Sequence, residues 1–361
     1  MKILFLMLKS RQYFKDVDFK DFSFVSQFNN KNGANKLTLC GMFLDDFKND
    51  VEVFRPIISE KLDNEAEILN EFRQKCEEAD RIVFQPPTQL NSILTKYTSV
   101  KLYNVAFEFK EKVRIIVDDA FDIWNLEKSF NLPKSFYNEW NLKRFHNDLA
   151  TINSYLNNLK YCYYNTKKLI HVLYNHNIEE IKECYGDVSN TIYLANIFYK
   201  CKQFEGYSTP IKEKSDIIKY AALSPQRSLE NNKKYLNYFN IKDVQFIGVK
   251  EYKNLNKPEA LCEAEIFEEL KTSKFILSLP IKKPSLTWER KRIIFAMLLG
   301  SILIPYGDDA KYLGEPFIIP SDILSKSDEE LQNIADAQRD YFYAHLLSEE
   351  EIKNNIEMWL K

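Results

Sequence analysis

The 361-residue sequence predicts an α/β fold with two domains, each built on a parallel sheet. Short apolar runs typical of buried strands alternate along the chain with amphipathic stretches at helical spacing. The clearest unit runs from Lys274 to Pro305: an apolar run, a charged loop, an apolar helix that ends at Gly300, and a second apolar run. A chain of this length exceeds what one core usually serves, so we expect two domains.

The first half of the chain predicts alternating strands and helices. Strands are predicted at Met1–Leu8, Lys36–Phe43, Arg81–Gln85, Val113–Asp119 and Lys160–Tyr164. Helices are predicted at Asp16–Asn30, Leu62–Glu78 and Leu90–Phe109, and Thr166 is expected to cap a helix that contains His171. The alternation favours a parallel sheet, and we expect the first domain to cover residues 1–205.

The second half repeats this pattern after a cluster of Gly, Ser, Pro and charged residues near Glu205–Lys214. Strands are predicted at Asp216–Leu223, Val244–Val249, Lys274–Pro280, Ser301–Ile304 and Glu315–Pro320. Helices are predicted at Ser228–Phe239, Pro258–Lys271, Ile293–Leu299, Asp328–Leu347 and Ser348–Leu360. We expect a second domain over residues 206–347 and a terminal helix over 348–361 that crosses back to the first domain.

Composition limits the classes of function. Fifty Lys and Arg residues nearly balance 52 Asp and Glu residues, and the resulting net charge of −2 argues against retention on nucleic acid or membrane by bulk charge. Only eight glycines are present, which disfavours a Gly-rich phosphate loop. The six cysteines form no C-x-x-C pair and there are four histidines, so neither a zinc site nor a disulfide framework is indicated. We expect no membrane insertion and a cytoplasmic location.

Three polar clusters follow predicted strands, where parallel sheets usually bind ligands. They are Asp118-Asp119, Ser224–Ser228 and Ser285–Arg292. A carboxylate at such a position can act as a general base toward a hydroxyl nucleophile. Arginines there can bind phosphate oxygens in bidentate fashion, and helix N-termini favour the same anions. This combination suits group transfer from a donor that carries a diphosphate.

Three stretches also resemble a known family. They are the first strand with Asp80–Val83 and Lys112–Asp119, the segment Tyr220–Glu230, and Arg292–Ile304. They are similar to GT-B nucleotide-sugar glycosyltransferases, most of all to the phage DNA β-glucosyltransferases that modify 5-hydroxymethylcytosine and to related bacterial family-1-type enzymes. The resemblance implies two Rossmann-like domains facing a cleft, with an acceptor-binding first domain, a donor-binding second domain and C-terminal helices that pack back.

The resemblance also implies roles for individual residues. Asp118 or Asp119 would be the catalytic base, and the residues expected to bind the donor are Ser224, Gln226, Arg227, Glu289, Arg290 and Arg292. A DNA acceptor would also need a basic, aromatic-lined cleft to hold a flipped base, and the candidate residues for it are Trp124, Trp140, Lys143 and Arg144. The donor would be a nucleotide sugar of the UDP type and the favoured acceptor double-stranded DNA. No tightly bound cofactor and no metal ligand are expected, although a divalent metal that assists product release stays open.

Two positions depart from the family pattern. The ribose-binding Glu three residues after the motif arginine is Phe295 here, and Ala221-Ala222 occupies the Gly-rich turn. Glu289 is the alternative ribose partner. Two further functional hypotheses therefore stay open. One is a glycosyltransferase that acts on a surface glycan or lipid-linked sugar, and the other is a non-catalytic protein that senses nucleotides or binds a partner.

Overall fold

The structure is a computed structural model that describes a defined part of the chain. The described residues are 1–6, 9–10, 50–54, 56–58, 64–84, 97–117, 149–172, 191–195, 208–221, 230, 232–247, 263–279, 290–305, 310, 313–345 and 348–361. The predicted elements at Asp16–Asn30 and Lys36–Phe43 lie outside these ranges. The expected domain boundaries, 205/206 and 347/348, involve residues that are not described, so the division of the chain stays a prediction.

Twelve strands and eight α-helices are present in the described ranges. The strands are β1 (Ile3–Leu6), β2 (Lys9–Ser10), β3 (Val51–Phe54), β4 (Ile57–Ile58), β5 (Arg81–Phe84), β6 (Val113–Val117), β7 (Lys168–Val172), β8 (Thr191–Ala195), β9 (Ser215–Ala221), β10 (Gln245–Ile247), β11 (Ser273–Ser278) and β12 (Ile302–Pro305). The helices are α1 (Glu65–Glu78), α2 (Tyr97–Phe107), α3 (Leu149–Asn165), α4 (Lys233–Tyr238), α5 (Glu263–Lys271), α6 (Arg290–Leu299), α7 (Asp328–Ala344) and α8 (Glu349–Leu360).

The strands form two large sheets, and each described strand pairing is parallel. The first sheet has six strands in the order β3-β1-β5-β6-β7-β8, and the second has four in the order β10-β9-β11-β12. A separate two-stranded pair joins β2 and β4. The strand order and the parallel pairing confirm the predicted α/β fold class.

Several strands are fully buried because helices cover the sheets, as parallel sheets require. All four residues of β1, all six of β11 and all four of β12 are buried. Helices α1, α2 and α3 contact one another in sequence beside the first sheet, and α5 and α6 contact the second. The apolar runs that predicted strands at these places therefore correspond to fully buried strands of the two sheets.

The predicted strand at Lys160–Tyr164 is wrong, because these residues form the last turns of α3. The buried residues of α3 recur at helical spacing, at Ile152, Tyr155, Leu159, Cys162 and Tyr163. The strand was predicted because four consecutive residues at positions 161–164 favour strands locally, whereas the helical spacing extends over the whole of α3. The predicted helix after position 166 is wrong as well, because His171 lies in β7. The Thr166 hydroxyl donates to the Cys162 carbonyl (2.6 Å) at the C-terminal end of α3.

The predicted strand at Glu315–Pro320 is also wrong. Residues Glu315–Phe317 form a single turn of 3₁₀-helix, which begins after Gly314 at a φ of 114°. The edge of β12 is instead closed by the fully buried side chain of Gln338 from α7. Its Oε1 accepts from the Leu303 N–H (2.9 Å), and its Nε2 donates to the Leu303 carbonyl (3.1 Å). One amide thus makes the two hydrogen bonds that a neighbouring strand would make.

The last helix, α8, packs onto the first sheet, whereas α7 packs against β12 of the second sheet. Ser327 and Ser348 each precede a helix and form a capping box. The serine hydroxyl accepts a hydrogen bond from the main-chain N–H of the third helical residue. That residue is a glutamate, and its carboxylate accepts a hydrogen bond from the main-chain N–H of the serine. Helix α8 contacts β7 and β8. Trp359 and Leu360 are fully buried, and the indole N–H of Trp359 donates to the Lys167 carbonyl (3.1 Å). Among the described helices, none combines the length and apolarity needed to cross a bilayer.

Candidate functional site

The carboxyl ends of β9, β11 and β12 and the first turn of α6 form the part of the predicted site that the structure describes. Helix α6 begins with Arg290, Lys291 and Arg292, and its first turn contains no acidic residue. Its remaining residues, 293–299, are all buried. A helix N-terminus carries a partial positive charge, so three cations at this position are unfavourable unless an anion is bound nearby. The local charge is therefore complementary to a phosphate group.

Arg292 is held at the ends of two strands by neutral groups. Its Nε donates to the carbonyl of Ala221, the last residue of β9. Its guanidinium carbon lies 4.7 Å from the centre of the Tyr220 ring. The Tyr220 hydroxyl in turn donates to the carbonyl of Leu279 (3.0 Å), just after β11, and the ring of Phe246 lies 6.2 Å from that of Tyr220. These contacts direct the guanidinium to the carboxyl edge of the second sheet.

Burial affects the pKa of Arg292 but leaves its charge in place. Burial is the largest influence on the Arg292 guanidinium and lowers its pKa, while Tyr220 acts in the opposite direction. A guanidinium remains protonated in proteins over the physiological range, so this side chain provides a permanent cation in a partly water-excluded setting. In such a setting an ionic hydrogen bond to phosphate is stronger than it is in bulk water.

Phe295 explains one departure from the family pattern. Its side chain is 6% exposed and packs edge-on against the ring of Phe267 from α5, with 5.3 Å between ring centres. Position 295 thus lies on the core-facing side of α6, whereas Arg292 lies one turn earlier at the open end. A carboxylate at position 295 would be placed in the core, so this position does not supply a ribose-binding group. Glu289, the predicted alternative, lies outside the described residues.

Most of the predicted site residues lie outside the described ranges, and their roles remain predictions. They are Asp118, Asp119, Trp124, Trp140, Lys143, Arg144, Ser224, Gln226, Arg227 and Glu289. For Arg290 the structure gives the main chain as the first residue of α6. The pair Asp118-Asp119 directly follows the last residue of β6, which lies between β5 and β7 inside the first sheet.

Sequence reasoning missed Tyr220. It lies within the family-like stretch Tyr220–Glu230, but no role was predicted for it. The available signal was a tyrosine at the carboxyl end of an apolar strand, beside a loop with predicted donor-binding residues. A buried tyrosine hydroxyl usually requires a hydrogen-bond partner. The carbonyl that serves as this partner, at Leu279, is distant in sequence, so the sequence could not identify it.

Thiol and metal chemistry receive no support from the described part of the chain. The thiols of Cys76 and Cys162 are buried, and burial raises the pKa of each from 9.0 to about 12. A thiol with such a pKa is a poor nucleophile at neutral pH. In the described ranges, no group of three or more His, Cys, Asp and Glu side chains could hold a metal ion.

Comparison with known proteins was informative only at the level of structure. No protein-family model matches the chain. No curated protein sequence matches it either. An alpha-glucosyltransferase solved with UDP-glucose and DNA containing an abasic site is 11% identical to this chain, with a TM-score of 0.52 and full coverage of both chains. Anabaena HepE, solved with UDP and glucose, is 12% identical, with a TM-score of 0.50 and 99% coverage of both.

A third similar structure is the DNA-modifying enzyme beta-glucosyltransferase, which was solved in the presence and absence of uridine diphosphoglucose. It is 11% identical to this chain, with a TM-score of 0.50 and 99% coverage of both chains. These identities are too low to establish a shared activity. The likeness nevertheless extends over the whole chain, including both parallel sheets. The protein therefore has the GT-B fold of these glucosyltransferases, as the sequence resemblance predicted.

Proposed function

We propose that the protein is a glycosyltransferase that transfers glucose from UDP-glucose to a hydroxyl acceptor, and that the favoured acceptor is a hydroxymethylated pyrimidine in DNA. One observation carries the proposal: in a chain with the GT-B fold, the cationic first turn of α6 lies at the carboxyl edge of the second sheet. Arg292 there is held by Ala221 and Tyr220.

On the donor side, Arg292 and the N-terminus of α6 bind the diphosphate. Negative charge develops on the UDP leaving group as the bond between the sugar and the diphosphate oxygen breaks. A preorganised cation and a helix N-terminus stabilise that charge without having to reorganise during the reaction. Gln226 and Arg227 would add hydrogen bonds to the same group.

On the acceptor side, Asp118 or Asp119 acts as the general base. As the acceptor oxygen forms its bond to the anomeric carbon, the acceptor proton passes to the carboxylate, and UDP departs with the electron pair of the broken bond. The position of this pair after a central strand of the first sheet supports the role. Trp124, Trp140, Lys143 and Arg144 would hold the acceptor, and a DNA base would have to be flipped out of the duplex to reach the site.

The choice of DNA as acceptor is supported by two of the similar structures, which are described as bound to DNA or DNA-modifying. A saccharide acceptor is the second candidate, because Anabaena HepE is equally similar to this chain and was solved with UDP and glucose. The two candidates differ in one measurable respect: binding to a nucleic-acid backbone weakens steeply with salt.

Transfer of labelled glucose from UDP-glucose tests the proposal. The acceptors are a duplex containing 5-hydroxymethylcytosine, the same duplex with cytosine, and a panel of oligosaccharides. We expect transfer only to the hydroxymethylated duplex. Arg292→Met should lower kcat/KM by about 100-fold or more, the scale on which a transition-state charge contact is lost. Arg292→Lys is the charge-preserving control and should retain part of the activity.

Each alternative outcome has a definite meaning. Transfer to an oligosaccharide but not to DNA would replace the acceptor and leave the donor assignment in place. The glycosyltransferase proposal is overturned if the folded wild-type protein neither binds UDP at millimolar concentration nor hydrolyses UDP-glucose.

A further inference from the structure

Tyr220 connects the described part of the donor site to two strand ends. It lies in β9 and is fully buried. Its hydroxyl donates to the Leu279 carbonyl (3.0 Å), which fixes the end of β9 relative to the end of β11. Its ring lies against the guanidinium of Arg292, with 4.7 Å between the ring centre and the guanidinium carbon. One side chain therefore contacts β9, β11 and α6 at the point where they converge.

The segments that follow these two strand ends carry the predicted donor-binding residues. Residues 222–229 follow β9 and contain Ser224, Gln226 and Arg227, and residues 280–289 follow β11 and contain Glu289. Arg292, at the start of the helix that follows the second segment, is itself held by the end of β9. Diphosphate recognition depends on this placement, because a bidentate arginine tolerates little displacement.

The Tyr220 ring also restricts the orientation of Arg292. An arginine side chain has several rotatable bonds, and its planar guanidinium loses less entropy on binding when it is already oriented. The Ala221 carbonyl holds Nε at one edge of the guanidinium, and the ring supports one face of it. The attraction between a cation and an aromatic ring strengthens away from water. Together, these two contacts determine both the position and the plane of the group.

We propose that Tyr220 is a positioning residue for the donor diphosphate and acts through Arg292. This inference rests on the proposed function of the same site. Tyr220 is not a catalytic residue, since its hydroxyl is directed to a main-chain carbonyl and its ring to Arg292. Its contribution is to orient the charge that meets the leaving UDP.

A double-mutant cycle on UDP binding tests this role, with calorimetric measurements on the wild type, Tyr220→Leu, Arg292→Met and the double variant. We expect Tyr220→Leu to weaken UDP binding by about tenfold, because the ring no longer orients the guanidinium. The double variant should bind no more weakly than Arg292→Met alone, since Tyr220 acts through that arginine. Affinity for uridine, which has no phosphate, should change less than twofold in Tyr220→Leu.

Two further variants separate positioning from stability. Ile218→Ala removes a buried side chain from the same strand and the same core cluster without touching a group known to contact Arg292. It should lower the melting temperature but leave UDP affinity within twofold of wild type. Tyr220→Phe keeps the ring and removes only the hydroxyl. If Tyr220→Leu does not fold, Tyr220→Phe replaces it in the cycle, with an expected loss in UDP affinity of about threefold.

The outcomes distinguish this inference from the proposed function. If UDP binds and Arg292→Met weakens it, but the effects of the two substitutions multiply in the double variant, Tyr220 does not act through Arg292 and the inference is overturned. Equal losses of UDP and uridine affinity would overturn it too, as would a loss in Ile218→Ala as large as that in Tyr220→Leu. Failure of the wild-type protein to bind UDP would overturn the proposed function and this inference with it.

Discussion

Gln338 shows how a single side chain can satisfy main-chain hydrogen-bonding groups that strand pairing leaves without partners. β12 is an edge strand, and Gln338 from α7 satisfies both the N–H and the carbonyl of Leu303 in the buried interior. Unpaired strand edges are sites of unwanted association, and a polar group buried without a partner is costly. The glutamine therefore terminates the sheet as well as anchoring the helix.

Gln338→Leu should destabilise the protein by about 2–4 kcal/mol, because it leaves the N–H and carbonyl of Leu303 buried without partners. Chemical denaturation at neutral pH measures the loss. Asn333→Leu, the same kind of amide-to-leucine change at an exposed position of α7, is the matched control and should shift stability by no more than about 0.5 kcal/mol. Equal losses in the two variants would show that the amide pairing contributes nothing beyond its helix position.

At the residue scale, the sequence predicted where charged residues cluster more readily than it predicted the contacts of individual side chains. The charged cluster and the apolar helix after it could be predicted, but Arg290, Lys291 and Arg292 were predicted in the loop, and the structure includes them in the first turn of α6. The sequence did not indicate the role of Gln338. Its partner Leu303 is 35 residues away, and a glutamine in an amphipathic helix is usually exposed rather than buried. The departure from the family pattern at Phe295 is visible in the sequence, but only packing against Phe267 shows that this position faces the core.

At the element scale, α8 is attached to the first sheet by cations at its C-terminal end. Arg114 donates to the carbonyl of Trp359 (2.9 Å) and to the main-chain oxygen of Lys361 (3.1 Å). Arg81 donates to Leu360 and Lys361, and Lys167 donates to the carbonyl of Met358 (3.0 Å). The last carbonyls of a helix have no partner within the helix, and positive charge there is favourable. The first sheet thus supplies the C-terminal cap of α8.

Arg114→Met should detach the end of α8 and cost about 1.5–3 kcal/mol, since hydrogen bonds from a charged donor are lost in a buried setting. Arg114 is 7% exposed, and burial together with nearby Arg81 lowers its pKa to about 10. Because the substitution removes the hydrogen bonds to the end of α8, amide hydrogen exchange should accelerate in residues 349–360 before it does in β5 or β6. Arg73→Met is the control: Arg73 pairs with Glu108 at the surface, where a salt bridge contributes about 0–1 kcal/mol. Unchanged exchange in α8 would contradict the capping role.

Helices and strands with one clear hydrophobic pattern could be predicted from the sequence. Those in which the hydrophobic spacing and the local strand propensity disagree could not. β11, α6 and β12 form continuous apolar runs with a charged break, so their order and type were correct. α3 was missed because its last turn, Tyr161–Tyr164, has local strand propensity, whereas its burial follows helical spacing back to Ile152. Tertiary packing decided between the two patterns, as it commonly does for short segments.

At the scale of the whole molecule, parallel topology follows from the alternation of elements, but the arrangement of the site does not. The rule that ligands bind at the carboxyl ends of parallel strands correctly located Arg292 at such an edge. It could not show that the Arg292 guanidinium contacts Ala221 and Tyr220, because these contacts join segments about 70 residues apart. Strand order across the sheets likewise depends on long-range pairing that no local pattern encodes.

The folded state as a whole buries cations whose titration should make stability depend on pH. Burial lowers the pKa of Lys168 and of Lys214 from 10.5 to about 8, with Lys271 adding to the effect on Lys214. Lys168 donates to the Tyr163 carbonyl, and Lys214 donates to the carbonyl of Leu299 (2.7 Å), the last residue of α6. Above about pH 8 the folded state has therefore released protons that the unfolded chain still holds.

The free energy of unfolding should consequently rise with pH from about 8, by at most about 1.4 kcal/mol per pH unit for each lysine. The buried thiols of Cys76 and Cys162 act in the opposite sense above pH 9, because the unfolded chain loses protons there that the folded state retains. The lysine contribution still exceeds the thiol contribution at pH 9, where the unfolded thiols are half titrated. We therefore expect a maximum of stability between pH 9 and 10, measured by urea denaturation between pH 7.5 and 10.5.

Substitution separates the two contributions to this profile. Lys168→Met should flatten the rise between pH 8 and 9, because the variant has no proton to release at that position, while Cys76→Ala should reduce the fall above the maximum. Lys233→Met, at an exposed position of α4, is the matched control and should keep the wild-type profile. If Lys168→Met and the wild type differ by the same free energy at pH 7.5 and at pH 9, Lys168 does not release its proton in the folded state over this range. Among the described lysines with a lowered pKa, Lys214 would then remain as the source of the rise.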